Sequence, residues 1–300
     1  MDELTNTTEP QIAYSECYAQ VFYRLFLGDC LIESDKIQSG SVDLILTDLP
    51  YGTVKGAPKN WTVTNDKSHN WDDVIETSKV YEIANRILRK NGKMVLFAQD
   101  PFSTELKTKA IPNIPYNYSM IWEKNDFANA LLSKKAPVNY YEDILVFSKT
   151  EDTEKAHPLR EYFYTEYEKT GLTYKEINRD YLETTFEGGG GMAYNMLCRT
   201  RLYFSMPTKD AYSRLQKTGC FKKPYEELKV EDEAFKNKMK STFNLWEGNK
   251  YKSNILKYKK DYDGHHPTQK PVLLLEDLIK TFSNENDLVV DLTMGSGSTG

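Results

Sequence analysis

Asp48-Leu49-Pro50-Tyr51 brings a carboxylate, a proline and an aromatic ring together within four residues. Asp48 and the backbone carbonyl of Leu49 can each accept one N–H of an exocyclic amino group. Tyr51 can stack on the ring that bears that group. An amine flat against an aromatic ring is a nucleobase feature, so these residues imply chemistry on a base. The plainer reading is a turn after a strand, because Asp and Pro are common turn residues.

A second group lies near the other end. Asp291-Leu292-Thr293-Met294-Gly295-Ser296-Gly297-Ser298-Thr299-Gly300 is a glycine-rich turn after an apolar run. Such glycines let a backbone approach a ligand closely, and a following helix would aim N–H groups at it. A plain loop is the commoner explanation of a lone G-x-G. There is no G-K-[ST], which excludes a phosphate-cradling loop, and the spacing disfavours a nicotinamide oxidoreductase. Small polar residues suit a charged, phosphate-poor cofactor such as S-adenosylmethionine.

The elements around these groups read as α/β. Residues 42–47 form an apolar run that ends at Asp48, the strand end at which open α/β sheets bind ligands. Residues 22–27 read as a first strand ending in Gly28-Asp29, followed by a short helix over about 31–38. Residues 78–90 show one apolar face, from Val80, Ile83, Ala84, Ile87 and Leu88, and predict a helix stopped by Asn91-Gly92. Further strands are expected at 93–97, 119–122, 143–147 and 287–291, with a helix at 272–281. Alternating strands and helices imply a mainly parallel sheet.

Between 150 and 260 the composition shifts to Lys, Glu and Tyr, which suggests a mostly helical insert. Within it Thr173-x-x-Glu176 is a capping box and Thr208 opens a helix. Residues 160–179 suggest a helix pair, and Gly188 to Gly191 a flexible loop. The chain carries a net charge of −5, yet residues 199–260 hold 16 Lys and Arg against 7 Asp and Glu. That asymmetry is an electrostatic footprint for a polyanion, or else a solvated lysine-rich surface. Four scattered cysteines without a C-x-x-C pair, and the adjacent His265-His266, argue against a metal site and suit a reducing cytoplasm. No apolar stretch approaches the ~18 residues a membrane span needs, and the N-terminus lacks a secretory signal. Trp61 and Trp71 could flank the target site, with packing the commoner use.

Taken together, Asp48-Leu49-Pro50-Tyr51-Gly52, His266-Pro267-Thr268-Gln269-Lys270-Pro271 and Asp291-x-x-x-Gly295-Ser296-Gly297 resemble the β-group amino DNA methyltransferases. The match is to adenine-specific, phage- or prophage-like members. In that family the D-P-P-Y motif comes first, a target-recognition region follows, and the S-adenosylmethionine motif comes last. The resemblance implies a Rossmann-like methyltransferase fold with circularly permuted motif order. Catalytic-domain parts are expected at 1–149 and 261–300, with the recognition insert at 150–260. It further implies that Asp48, Leu49, Pro50 and Tyr51 hold the target amine and base. Asp29, Thr268, Gln269, Lys270, Asp291, Thr293, Gly295, Ser296 and Gly297 are the implied S-adenosylmethionine contacts.

Double-stranded DNA is the expected partner, a homodimer is held only as analogy, and neither metal nor membrane is expected. The expected location is the cytoplasm of a bacterial or phage-infected cell, where a restriction-modification role is conceivable. The family usually has proline where Leu49 stands. Only the carbonyl is needed there, so the amine contact survives with less rigid geometry. The chain ends at Gly300, inside the last motif, and a shortened sequence is expected.

The expected reaction is transfer to the N6 amine of a flipped adenine. Cytosine-N4 transfer is the near alternative, since the same amine chemistry applies. Members with Ser in place of Asp48 tend toward cytosine, so Asp48 favours adenine. A catalytically inactive, truncated DNA-binding module is the alternative from another class. Protein-glutamine methyltransferases share an x-P-P-Y site, but their motif order is the reverse.

Overall fold

The computed structural model describes residues 22–52, 74–128, 133–152, 157–184, 191–201, 203–246, 248, 250–261, 269–295 and 297–300. The sheet is built from β1 (Val42–Thr47), β2 (Leu88–Ala98), β3 (Tyr116–Ala128), β4 (Asn139–Ser148), β5 (Ile255–Lys257) and β6 (Val289–Val290), in the order β5-β3-β4-β2-β1-β6. β1 pairs in parallel with β2 and β6, and β3 with β5. β4 runs antiparallel to both of its neighbours, β2 and β3. The clamp strand β1 therefore lies beside β6, which comes from the opposite end of the chain.

The apolar runs are continuous because both faces of the sheet are covered. On one face Ile45, Met94, Leu96 and Phe147 join Val80, Ala84 and Ile87 of α2 (Thr77–Ile87) and Phe102 and Leu106 of α3 (Phe102–Thr108). On the other, Leu44, Leu46, Val95, Phe97 and Trp122 meet Leu274, Leu275, Leu278 and Phe282 of α9 (Val272–Phe282). Asp43, inside the apolar run, is tied to Arg89, and both are buried; its other oxygen accepts from the Leu288 amide at 2.8 Å. That pairing welds β1, β2 and the start of β6.

A third apolar cluster, from Leu159 to Leu228, contains no sheet residue. It is formed by α4 (Leu159–Thr170), α5 (Tyr174–Asp180), α6 (Gly191–Leu197), α7 (Lys209–Gln216) and α8 (Tyr225–Lys238). The expected helix pair is α4 and α5, separated by Gly171 at φ 65°, a left-handed helix end that glycine suits. The Thr173–Glu176 capping box is formed, and Thr208 caps α7. Gly191 opens α6, while Gly188 to Gly190 lie outside the described residues.

Three expectations change. Residues 22–27 form no strand, and Phe22, Leu25 and Leu27 are exposed. A strand exists only by pairing, and no described strand pairs with this segment. The helix over 78–90 ends at Ile87. Asn91 (φ 63°) and Gly92 instead sit in a bulge of β2, where the register jumps from Leu88 opposite Val42 to Lys93 opposite Leu44. A Cβ on Gly92 would lie 3.0–3.1 Å from the carbonyls of Arg89, Asp43 and Val42, so close backbone approach requires glycine here. The early helix is shorter than expected: α1 spans Cys30–Glu33 and passes into a 3-10 turn, Ser34–Lys36.

Candidate active site

β1 delivers Asp48 at its C-terminal end, and the next residue anchors it. Leu49 is only 2% exposed and packs in the α2–α3 core. Its side chain thus supplies by packing the rigidity that a proline would supply by its ring. Tyr51 lies half-buried against the same core, with its ring 5.5 Å from that of Phe102. Its hydroxyl donates to Asp48 Oδ1 at 2.7 Å. Burial, then Asp48 and Glu142, push the Tyr51 hydroxyl well above its ordinary pKa, so it is a hydrogen donor throughout the neutral range.

The glycine turn meets this clamp directly. Thr293 Oγ1 donates to the Asp48 carbonyl at 2.8 Å and lies 2.7 Å from Thr47 Oγ1. Thr47 donates to Asp291 Oδ1 at 2.8 Å, which also accepts the Thr293 amide at 3.0 Å. Thr299 donates to the other Asp291 oxygen at 2.6 Å. Asp291 therefore organises the turn from within. Burial raises its pKa, only partly offset by the Thr299 and Thr47 hydroxyls, and the Asp48 charge adds to the rise. Gly295 and Gly297 have φ of 55° and 82°, a left-handed backbone that favours glycine. An added Cβ at Gly297 would meet nothing within 4 Å, so the turn presents bare backbone to open space.

Lys270, just before α9, is buried and pairs with Asp48 Oδ2, with its ammonium 5.1 Å from the Phe97 ring centroid. It also lies 3.3 Å from Glu142 Oε2 on β4. Glu142 in turn holds Lys124 of β3 at 2.5 Å. Burial works against the Lys270 charge, but Asp48 and Glu142 outweigh it and raise its pKa. Burial would raise Glu142, yet Lys270 and Lys124 hold it below the usual carboxylate range. Lys124 is lowered by burial, which Glu142 only partly offsets. Glu142 and Lys124 escaped sequence reasoning. The local signal was a pair of acids, Glu142-Asp143, just ahead of the apolar run in β4, which means nothing until β4 is placed between β2 and β3.

The sequence candidates thus divide. Asp48, Leu49, Tyr51, Lys270, Asp291 and Thr293 are joined by contacts, Pro50 links the clamp residues in the chain, and Gly295 and Gly297 shape the turn. Gln269 is half-buried next to Lys270. Asp29 is exposed and caps α1, accepting from the Leu31 amide at 2.9 Å, with no hydrogen bond to the cluster among the described residues. Thr268 and Ser296 lie outside the described residues, as do His265, His266, Trp61 and Trp71. Among the described residues there is no cluster of three His, Cys, Asp or Glu that could hold a metal ion, and no helix long and apolar enough to cross a membrane.

A DNA methylase family model, of the N6/N4 type, matches residues 42–300. The chain belongs to this DNA methylase family. It is accordingly a DNA methyltransferase, built on the α/β fold described above. Among curated relatives, the DNA adenine methyltransferase YhdJ of Escherichia coli (strain K12) is 24% identical over 283 residues, covering 91% of this chain and 71% of the relative. The methylase shares with the crystal structure of the M1.HpyAVI–SAM complex a TM-score of 0.45 at 17% identity, covering 92% of this chain and 84% of that one. For the cytosine-N4-specific PvuII DNA methyltransferase the TM-score is 0.44 at 11% identity, with 89% and 73% covered. At these scores the structural likenesses add nothing to the family match.

Proposed function

We propose that this methylase transfers a methyl group to the N6 amine of an adenine flipped out of double-stranded DNA. The observation that supports it most is the Thr293 hydroxyl on the Asp48 carbonyl, 245 residues away in sequence, which makes the amine clamp and the glycine turn one site. S-adenosylmethionine fits the turn: bare backbone at Gly295 and Gly297 leaves room for it, and Thr293 and Asp291 border it. When bound, it supplies an electrophilic methyl on sulfur.

The protein's part is orientation. The adenine N6 lone pair is delocalised into the ring, so the free amine is a poor nucleophile. Asp48 and the Leu49 carbonyl would accept its two N–H bonds and draw the nitrogen toward tetrahedral geometry. Tyr51 would stack on the base. Holding two reactants in line in a dry pocket supplies most of the acceleration in such transfers. Flipping a base costs a few kcal/mol, and stacking on Tyr51 would return about 1–3 kcal/mol of it.

The helical cluster of residues 159–228 belongs, in this proposal, to the target-recognition insert at 150–260, between catalytic parts at 1–149 and 261–300. Several of its basic residues are paired with its own acids: Lys209 with Glu226, Lys223 with Glu227, and Lys229 with Glu233. Exposed pairs of this kind are worth roughly 0–1 kcal/mol and exchange readily for phosphates. DNA binding would then weaken steeply with salt.

Incubation of unmethylated DNA with labelled S-adenosylmethionine, followed by nucleoside analysis, tests the proposal. N6-methyladenine is expected. N4-methylcytosine would keep the mechanism and change the base, and label on any other atom would refute the amine clamp.

A further inference from the structure

The amine clamp is already in use by the protein's own side chains. Asp48 Oδ1 accepts from the Tyr51 hydroxyl and Oδ2 carries the Lys270 ammonium. The ammonium is the stronger competitor, because charged hydrogen bonds are roughly twice as strong as neutral ones. An incoming amine, neutral and weakly donating, gains a full share of Asp48 only when Lys270 moves away.

The structure provides a place for it to go. Glu142 Oε2 lies in ion-pair reach of the Lys270 ammonium, at 3.3 Å, is buried, and makes no well-formed hydrogen bond among the described residues. Glu142 Oε1 is held by Lys124 at 2.5 Å, so the carboxylate is pinned in place while its second oxygen is unfilled. A buried acceptor without a donor is costly. Lys124 is already neutralised through Oε1, so Oε2 is the part of Glu142 left over for Lys270. The unfilled oxygen makes sense as the second of two seats for one ammonium.

We propose, on the basis of the amine-clamp function above, that Glu142 is a positioning residue: it draws Lys270 from Asp48 as the target amine arrives. The ammonium swings from Asp48 Oδ2 to Glu142 Oε2, and the amine N–H takes the vacated Asp48 oxygen. One ion pair replaces another, no proton changes hands, and the cluster of Lys124, Glu142, Lys270 and Asp48 stays neutral throughout. Lys124 keeps Glu142 from following Lys270 toward Asp48.

Glu142→Gln tests this, because it keeps the shape and an oxygen for Lys124 but removes the charge that attracts Lys270. The assay is methyl transfer from labelled S-adenosylmethionine to unmethylated phage DNA under single-turnover conditions, with cofactor affinity measured by calorimetry. Glu142→Gln is expected to slow transfer 10- to 100-fold while the cofactor Kd stays within twofold. In a Lys270→Met background the same change is expected to have no further effect, as a residue acting only through Lys270 requires. Transfer by Glu142→Gln within twofold of wild type overturns the exchange, and so does an equal loss in both backgrounds. If Glu142→Gln does not fold, Glu142→Asp serves instead: its carboxylate stops one methylene short, at least a tenfold loss is expected, and undiminished transfer overturns the proposal. A wild-type protein that transfers no methyl to DNA overturns the underlying function as well. An active wild type with an indifferent Glu142 overturns the exchange alone.

Discussion

Replacing Thr293 with valine removes one hydroxyl and preserves the side-chain shape. That hydroxyl donates to the Asp48 carbonyl at 2.8 Å and touches Thr47 Oγ1 at 2.7 Å. Thr47 retains Asp291 as an acceptor, so the stranded group is the Asp48 carbonyl. Losing the bond costs about 1 kcal/mol and leaving a partly buried carbonyl unfilled about another, for a total of about 2 kcal/mol. With an unfolding entropy of about 2.1 cal/mol/K per residue, a chain of this length would melt about 3 °C lower. The rate effect should be larger in proportion, because a misplacement of ~1 Å between reacting groups can cost ~100-fold.

Urea unfolding and labelled methyl transfer measure the two consequences. Thr299→Val is the control, since Thr299 holds Asp291 from the side away from the clamp, at 2.6 Å. It should cost comparable stability but slow transfer much less than the 10- to 100-fold loss expected for Thr293→Val. If both variants lose stability and transfer in step, the turn does not position Asp48 and the coupling is refuted.

Three other perturbations separate roles within the same molecule. Asp48→Asn keeps the side-chain shape but loses the charge, and should slow transfer by about 10²–10³-fold, as removal of one preorganised partner does elsewhere, with the cofactor Kd unchanged; undiminished transfer would show that Asp48 does not hold the amine. Tyr51→Ala should weaken capture of the flipped base by about 1–3 kcal/mol, read as a reduced fluorescence rise from 2-aminopurine at the target position, and a normal rise would count against stacking. Asp277 is buried and holds Lys252, the Trp246 indole at 3.0 Å and the Tyr258 hydroxyl at 2.9 Å, so these three residues are pinned to α9. Burial alone would raise its pKa, but these donors hold it below its ordinary 3.8. Its stabilisation is therefore complete above that value and is lost as pH falls through the lower folded value. Asp277→Asn should cost about 3 kcal/mol at neutral pH and progressively less in acid, and a difference that did not shrink in acid would contradict the assignment.

Legibility in the sequence followed the range of the interactions. β1 was plain because its run is local and buried on both faces, and the Thr173 and Thr208 caps were plain because each spans three residues. The meeting of Asp48 with Thr293 was legible only through the motif order of a family, since no local pattern spans 245 residues. Residues 22–27 have the composition of a strand, but pairing decides strands and composition cannot show a missing partner. Asn91-Gly92 suits both a helix stop and a bulge, and the crowding of three carbonyls around Gly92 selected the bulge. Lys124 and Glu142 lie on antiparallel neighbours β3 and β4, with Trp122 facing Glu142 across the ladder. Strand direction was beyond the sequence pattern, and the buried ion pair went unseen with it.

A crystal structure of this methylase with an S-adenosylmethionine analogue and duplex DNA carrying its target would show whether the Asp48 clamp and the glycine turn act as one site. The expected complex has a flipped base with its amine between Asp48 and the Leu49 carbonyl, stacked on Tyr51, and the analogue against Thr293 to Gly297 with its reacting atom about 3–3.5 Å from that amine. An analogue bound away from the glycine turn, or a base still stacked in the duplex with Asp48 untouched, would contradict it.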